Sequence, residues 1–242
     1  MKAEGILNQR ESASNALPGS PGALARLEAR FALERSELSL GGFDLVLPEL
    51  ADPLAYIDQR LSSSQGRAQD LPYWTKVWPA SLALALLSAS LPLDPDQPVL
   101  ELGAGLALPG LVAAARGMRV VLTDLDADAL EFARAAAELN GLGHLVTVRA
   151  LDWTAPPEDL GRFSTILGAE ILYQPPLYPR LVELLERTLA PGGRVYLSHQ
   201  ERPFLIGFFQ MARERFTIGR QERVLRGEDG PTKVFLYVLS RD

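Results

Sequence analysis

A chain of 242 residues, 47% of them apolar, can bury the core of one α/β domain, alone or with an appendage. Its net charge of −6 argues against a surface built for nucleic acid, and the absence of cysteine excludes disulfides, thiolate nucleophiles and Cys-ligated zinc. With His144 and His199 as the only histidines, a His-rich metal site is excluded too, and no metal is expected.

The N-terminus lacks the apolar stretch of a secretory signal, and the apolar run Leu82–Leu87 is far too short to span a bilayer. A soluble, cytoplasmic protein that does not engage membranes is the expectation. Residues 1–22 carry Ser, Asn, Gly and Pro without periodicity and read as a disordered tail. Leu24, Leu27 and Phe31 recur at helical spacing. Apolar residues then alternate around Gly41-Gly42, the signal of a two-residue β-hairpin. Asp52-Pro53 starts a second helix to about Leu61, and Ser62–Gln69 reads as a loop. Residues 23–70 therefore form a helix and hairpin extension, with the main domain expected over 71–242.

That domain opens on Leu71–Pro79, the densest aromatic stretch, in which Trp74 reads as packing. Pro79 suits the first turn of an Ala/Leu helix. From Pro98 onward, strands and helices alternate at the spacing of a doubly wound, Rossmann-like parallel sheet. Strands are expected at Val99–Leu102, Arg119–Thr123, Leu145–Val148, Phe163–Leu167 and Val195–Ser198. Asp126 or Asp128 caps the helix after the second, and Asn140-Gly141 ends it. The last forty residues read as a helix over 204–215, then an antiparallel hairpin that completes a seven-stranded sheet at its edge.

The chemistry concentrates after the first core strand. Gly103 and Gly105 make a tight turn, and Asp124 lies nineteen residues on, where an acid can accept hydrogen bonds from both ribose hydroxyls. A dinucleotide fingerprint needs a third glycine where Leu108 stands, and Gly110 comes two residues late. No Gly-Lys-Ser/Thr follows, so this is not a Walker A loop. A turn that brings backbone close to its ligand without gripping phosphate suits a nucleoside such as S-adenosyl-L-methionine. Glu101 is a candidate for its methionyl amine, or for a strand-end salt bridge.

Val99–Gly105, Val121–Asp124 and Leu189–Leu197 resemble the motifs of class I (seven-β-strand) methyltransferases that use S-adenosylmethionine. Three finer segments resemble family 16, the seven-β-strand protein lysine methyltransferases: Tyr73–Ala80, Leu151-Asp152-Trp153, and Glu170-Ile171-Leu172-Tyr173. The last is similar to that family's Asp/Glu-x-x-Tyr signature. The resemblance implies that Trp78 lies against the cofactor or the target channel, that Asp152 contacts adenine with Trp153 beside it, and that Glu170 and Tyr173 are the catalytic pair, Glu170 also bordering the cofactor. It implies a protein partner presenting a lysine to a monomeric enzyme. A small-molecule amine methyltransferase and a non-catalytic cofactor-binding module are the alternatives. The family has glycine where this chain has Ala107; right-handed geometry is expected there, at no cost to alanine. His199 reads as an oriented loop residue, with a general-base role as its alternative, and His144 as a residue without function.

Overall fold

The computed structural model describes residues 22–63, 71–227 and 230–241. The tail expected before Gly22, most of the expected 62–69 loop, and the centre of the final hairpin turn lie outside them. The loop starts later than expected, because Ser62 and Ser63 continue the preceding helix.

The first elements are α1 (Ala23–Glu28), β1 (Leu33–Leu40), β2 (Phe43–Leu50) and α2 (Pro53–Ser63). The hairpin turns on Gly41-Gly42, both at positive φ, with Leu40 opposite Phe43. That conformation is the one whose twist matches the paired strands, and glycine adopts it without steric cost. After α3 (Pro79–Ser88) come β3 (Val99–Leu102), α4 (Leu108–Ala115), β4 (Val120–Asp124), α5 (Ala127–Leu139) and β5 (Val146–Ala150). The chain continues through β6 (Phe163–Ala169), α6 (Tyr178–Thr188), β7 (Leu189–His199), α7 (Leu205–Ala212), β8 (Thr217–Gly227) and β9 (Gly230–Ser240).

The main sheet has seven strands in the order β5-β4-β3-β6-β7-β9-β8, parallel except for β9, which is antiparallel to both its neighbours. All four residues of β3 are buried, as a central parallel strand covered on both faces requires. The order reverses between β3 and β6, so the loops leaving these two strands diverge and open a crevice at their carboxyl ends. Strand β7 begins six residues earlier than expected: Leu189 pairs with Phe163, and Gly192, at φ +72°, takes up the register shift before Arg194 pairs with Thr165.

The N-terminal elements are fastened to α5. Glu138 accepts from the amides of Ala23 and Leu24 at 2.9 and 3.2 Å, capping α1 from outside. Asn140, the C-cap of α5, exchanges both amide hydrogen bonds with the backbone of Val46 in β2, at 2.7 and 2.8 Å. Tyr56 of α2 donates to Asp128 at 2.7 Å, and Arg60 pairs with Asp126 at 2.6 Å. Beneath these contacts Leu27, Leu45 and Leu47 enter the same apolar cluster as Phe132 and Leu111. On the same face of the sheet as α4, Ala80 and Ala83 of α3 pack on Val234 and Leu236 of β9.

Candidate active site

The turn after β3 places three residues at left-handed φ, Gly103 (+58°), Gly105 (+53°) and Ala107 (+60°). A β-carbon at Gly103 would stand 2.9 Å from Ile171, and one at Gly105 3.2 Å from Trp74, so both positions need glycine for space as well as conformation. The turn is tied down by the Ala104 amide on the Thr123 carbonyl at 2.8 Å and by the Gly105 amide on Asp124 Oδ2 at 2.9 Å. Ala107 corrects the expectation of right-handed geometry. It is the N-cap of α4 in the left-handed region, which costs an alanine roughly 1–2 kcal/mol.

Glu101 is a second correction. Its side chain is buried and turned away from the crevice, with Oε2 accepting from the Gly110 amide of α4 at 2.8 Å. Burial pushes its carboxyl up to about 8, against which the Gly110 hydrogen bond works only partly. It holds β3 to α4 and is not among the residues bordering the crevice. A β-carbon on Gly110 would fall 2.4 Å from both Glu101 Oε2 and Leu122, so this glycine permits the close approach of helix to sheet that the third fingerprint glycine provides elsewhere.

The crevice contains a cavity of about 580 Å³ whose walls bring together Trp78, Gly103, Gly105, Asp124, Asp152, Trp153, Glu170 and Tyr173 from five separate stretches of chain. Asp124, at the end of β4, spends one oxygen on Gly105 and the other on the Asp126 amide at 3.0 Å. Each oxygen keeps a further lone pair. Burial raises the Asp124 carboxyl above its ordinary range despite these bonds. Asp152 is held below its ordinary range by the hydroxyl and amide of Thr154, at 2.7 and 2.8 Å.

A smaller chamber of about 240 Å³ adjoins the first, and Tyr73, Trp78, Glu170 and Tyr173 line both. The Trp78 indole donates to the Tyr73 carbonyl at 2.6 Å, Lys76 lies 4.1 Å over the Trp78 ring, and the Tyr73 and Tyr173 rings are 5.0 Å apart. Glu170 stands just past β6 at φ +53°, a left-handed conformation that is costly for a residue other than glycine. Its amide donates to Ser198, Oε1 accepts from the Gln200 amide at 2.8 Å, and Oε2 lies 3.5 Å from His199 Nδ1. Partial burial, then the nearby Asp124 charge, push the Tyr173 hydroxyl up to about 12, so it remains a hydrogen-bond donor at neutral pH.

Two residues of the smaller chamber's wall, Tyr73 and Arg202, carry no signal as site residues in the sequence, whereas His199 is read there with a general-base role as its alternative. Tyr73 belonged to the aromatic stretch but carried no distinguishing spacing. Arg202 and His199 follow β6 by thirty residues and reach the chamber only because β7 pairs beside it. His199 is the last residue of β7 and is 1% exposed, in place of the expected loop position. Trp74 packs between Tyr56 and Phe132, at ring separations of 5.4 and 4.9 Å, and its backbone lies against Gly105. Among the described residues, no group of three acidic or histidine side chains could hold a metal ion.

Residues 67–216 match the family described as lysine methyltransferase. Protein N-lysine methyltransferase METTL21A of Xenopus tropicalis is 35% identical over 147 residues, 59% of this chain and 68% of that protein. EEF1A lysine methyltransferase 3 of Mus musculus is 33% identical over 150 residues, 61% of this chain and 64% of that protein. The chain thus spans about two thirds of the length of these curated relatives. A SAM-dependent methyltransferase structure from Agrobacterium tumefaciens superimposes with a TM-score of 0.59 at 18% identity, covering 88% of this chain and 72% of that one, which places the fold. The match over more than half the chain makes this protein a member of the lysine methyltransferase family, an S-adenosylmethionine-dependent N-methyltransferase with a Rossmann-like seven-stranded sheet.

Proposed function

We propose that the protein transfers a methyl group to the side-chain amine of a lysine on another protein, with the larger chamber holding the donor and the smaller one admitting the acceptor. The observation that carries this reading is Glu170. It is a carboxylate kept in a costly backbone conformation at the wall common to both chambers.

The larger chamber fits S-adenosylmethionine by its chemistry. Its floor is a turn that approaches without β-carbons at Gly103 and Gly105, and Asp124 keeps lone pairs for hydroxyl donors. Trp153 and Asp152 border the opposite side, and carboxylates outnumber cations along the walls, suiting a ligand that carries positive charge. When bound, this cofactor supplies an electrophilic methyl group on a sulfonium sulfur. We assign its binding to Trp78, Gly103, Gly105, Asp124, Asp152, Trp153 and Glu170, and leave Glu101 out.

The acceptor must arrive with a free lone pair. An exposed lysine of pKa about 10.4 is neutral in roughly one molecule in 2,500 at pH 7, and reaching that form costs about 4–5 kcal/mol. Glu170 favours the ammonium, so its part is to draw in and aim the side chain rather than to deprotonate it. Tyr173, Tyr73 and Trp78 wall the passage, and desolvation there lowers the acceptor's pKa toward neutrality, releasing the proton to water. Methyl transfer is an in-line displacement, so holding the two reactants on either side of this passage supplies much of the rate.

We further take the enzyme to act as a cytoplasmic monomer on neither nucleic acid nor membrane. The net charge of −6 supports the exclusion of nucleic acid, and no described helix is long and apolar enough to cross a membrane. Incubating the protein with cell lysate and methyl-labelled cofactor tests the acceptor. Label is expected in an intact protein, on lysine after hydrolysis, and lost with Glu170→Ala. Label on a small metabolite or on arginine would replace this reading with a different acceptor.

A further inference from the structure

S-adenosylmethionine brings a sulfonium, an ammonium and a carboxylate to its site. The wall of the larger chamber answers the two positive groups with Asp124, Asp126, Asp152 and Glu170. Among the described residues, its cations are Arg60 and Lys76. Arg60 is engaged by Asp126 at 2.6 Å, with Asp128 at 3.9 Å. Lys76 is exposed and forms no ion pair among the described residues; its Nζ lies 4.1 Å over the Trp78 ring. Such a contact leaves the N–H donors of an ammonium available.

Neutral donors nearby are already engaged. The Ala104 amide goes to the Thr123 carbonyl, the Gly105 amide to Asp124, and the Trp78 indole to the Tyr73 carbonyl. A carboxylate drawn out of water without a counter-charge or hydrogen bonds is costly. Lys76 also stands at the end of the chamber where that carboxylate belongs. Transfer requires the sulfonium methyl to face the smaller chamber, so the sulfur lies by the wall that Trp78 and Glu170 share between the two. The carboxylate is three carbons from that sulfur, and Lys76 reaches over Trp78 on a flexible four-carbon stem.

Resting on the assignment of the larger chamber to the donor, we propose that Lys76 is the counter-ion of the donor's methionyl carboxylate, with Trp78 as the platform that holds the ammonium in place. The contact serves S-adenosylmethionine and its demethylated product alike, since both keep the carboxylate. It anchors the amino-acid end of the donor while Asp124 anchors the ribose, and the methyl group is fixed between them. Lys76 thereby selects for an amino-acid carboxylate in a chamber whose other unpaired charges favour cations.

Calorimetry on wild type and Lys76→Met tests this with three probes: S-adenosylmethionine, S-adenosylhomocysteine and decarboxylated S-adenosylmethionine. Losing a charge-assisted contact predicts affinity for the first two down roughly 10–100-fold. The decarboxylated probe lacks the group that Lys76 holds and brings only positive charge to acidic walls. It should therefore bind the variant at least as tightly as it binds wild type. An equal loss for all three probes means that Lys76 acts by supporting Trp78, and no loss for any means that the carboxylate is held elsewhere. Either result overturns the proposal. Wild type that binds neither S-adenosylmethionine nor S-adenosylhomocysteine refutes the donor chamber itself, a failure visible before any variant is made.

Discussion

The amide of Gly105 donates to Oδ2 of Asp124 across 2.9 Å, so one carboxylate joins the turn after β3 to the end of β4. The same carboxylate borders the larger chamber, which makes the shape of the turn and the affinity for the donor properties of one side chain. Asp124→Ala removes two backbone partners and the proposed ribose acceptor together. Hydrogen bonds to a charged acceptor are worth about 1.5–3 kcal/mol each. Calorimetric affinity for S-adenosylmethionine is expected to fall by roughly 100-fold or more, and a change under about threefold would remove Asp124 from the binding set. Because burial raises this carboxyl, the wild-type affinity should also decline on acidification at a higher pH than an ordinary aspartate would dictate.

Glu101 makes a prediction about stability rather than binding. Its carboxyl is raised from 4.5 to about 8 on folding. The folded chain therefore holds this proton more tightly than the unfolded one. The contribution to stability is complete below about pH 4.5 and is lost as pH rises through 8. Glu101→Gln keeps an oxygen for the Gly110 amide and abolishes the titration. Urea unfolding should find the variant more stable than wild type by roughly 3–5 kcal/mol at pH 9, on the basis of about 1.4 kcal/mol per pH unit. The two proteins should converge near pH 4.5; parallel curves across this range would mean that Glu101 is solvated.

The succession of strands and helices could be read from sequence because the elements carry their own periodicity, and because Gly41-Gly42 and Asn140-Gly141 mark their turns locally. What could not be read depends on partners distant in the chain. Whether Glu101 faces the crevice or α4 is set by how closely Gly110 lets the helix approach. The handedness of Ala107 follows from the turn that Gly103, Gly105 and Asp124 impose, against the local preference of alanine. The smaller chamber joins Tyr73, Glu170 and His199 through the pairing of β6 with β7, and no spacing within any one segment signals it.

Ala107 tests that account of the turn. At φ +60°, glycine would relieve roughly 1–2 kcal/mol of strain but lose the buried methyl and add entropy to the unfolded chain. These effects nearly cancel, so Ala107→Gly should lie within about 1 kcal/mol of wild type. Ala107→Val adds a β-branch where left-handed geometry excludes it and should cost at least about 2 kcal/mol by denaturant unfolding. A tolerated valine would show that the turn relaxes into right-handed geometry. Gly110→Ala is expected to destabilise as well, although alanine is the better helix former, because its methyl meets Glu101 and Leu122.

Glu170 separates stability from function in a single position. Glycine suits φ +53°, but it gives up the 2.8 Å bond from the Gln200 amide, worth about 1.5–3 kcal/mol to a charged acceptor. Glu170→Ala gives up the same bond and keeps the strain. The expected order of thermal stability therefore places Glu170→Gly above Glu170→Ala by about 1 kcal/mol, with the glycine variant slightly below wild type. Glu170→Gln retains an acceptor for Gln200 and should match wild type in stability. All three variants lose the negative charge at the wall shared by the two chambers. Methyl transfer to protein is expected to fall by roughly 10–100-fold in Glu170→Gln and further in the other two, since a charge-assisted contact contributes about 1.5–3 kcal/mol. Activity that followed the stability order, highest in glutamine and glycine and lowest in alanine, would instead assign Glu170 to the architecture of the turn. Activity lost in all three while the fold of glycine and glutamine variants holds is the outcome that ties this strained residue to choosing the acceptor.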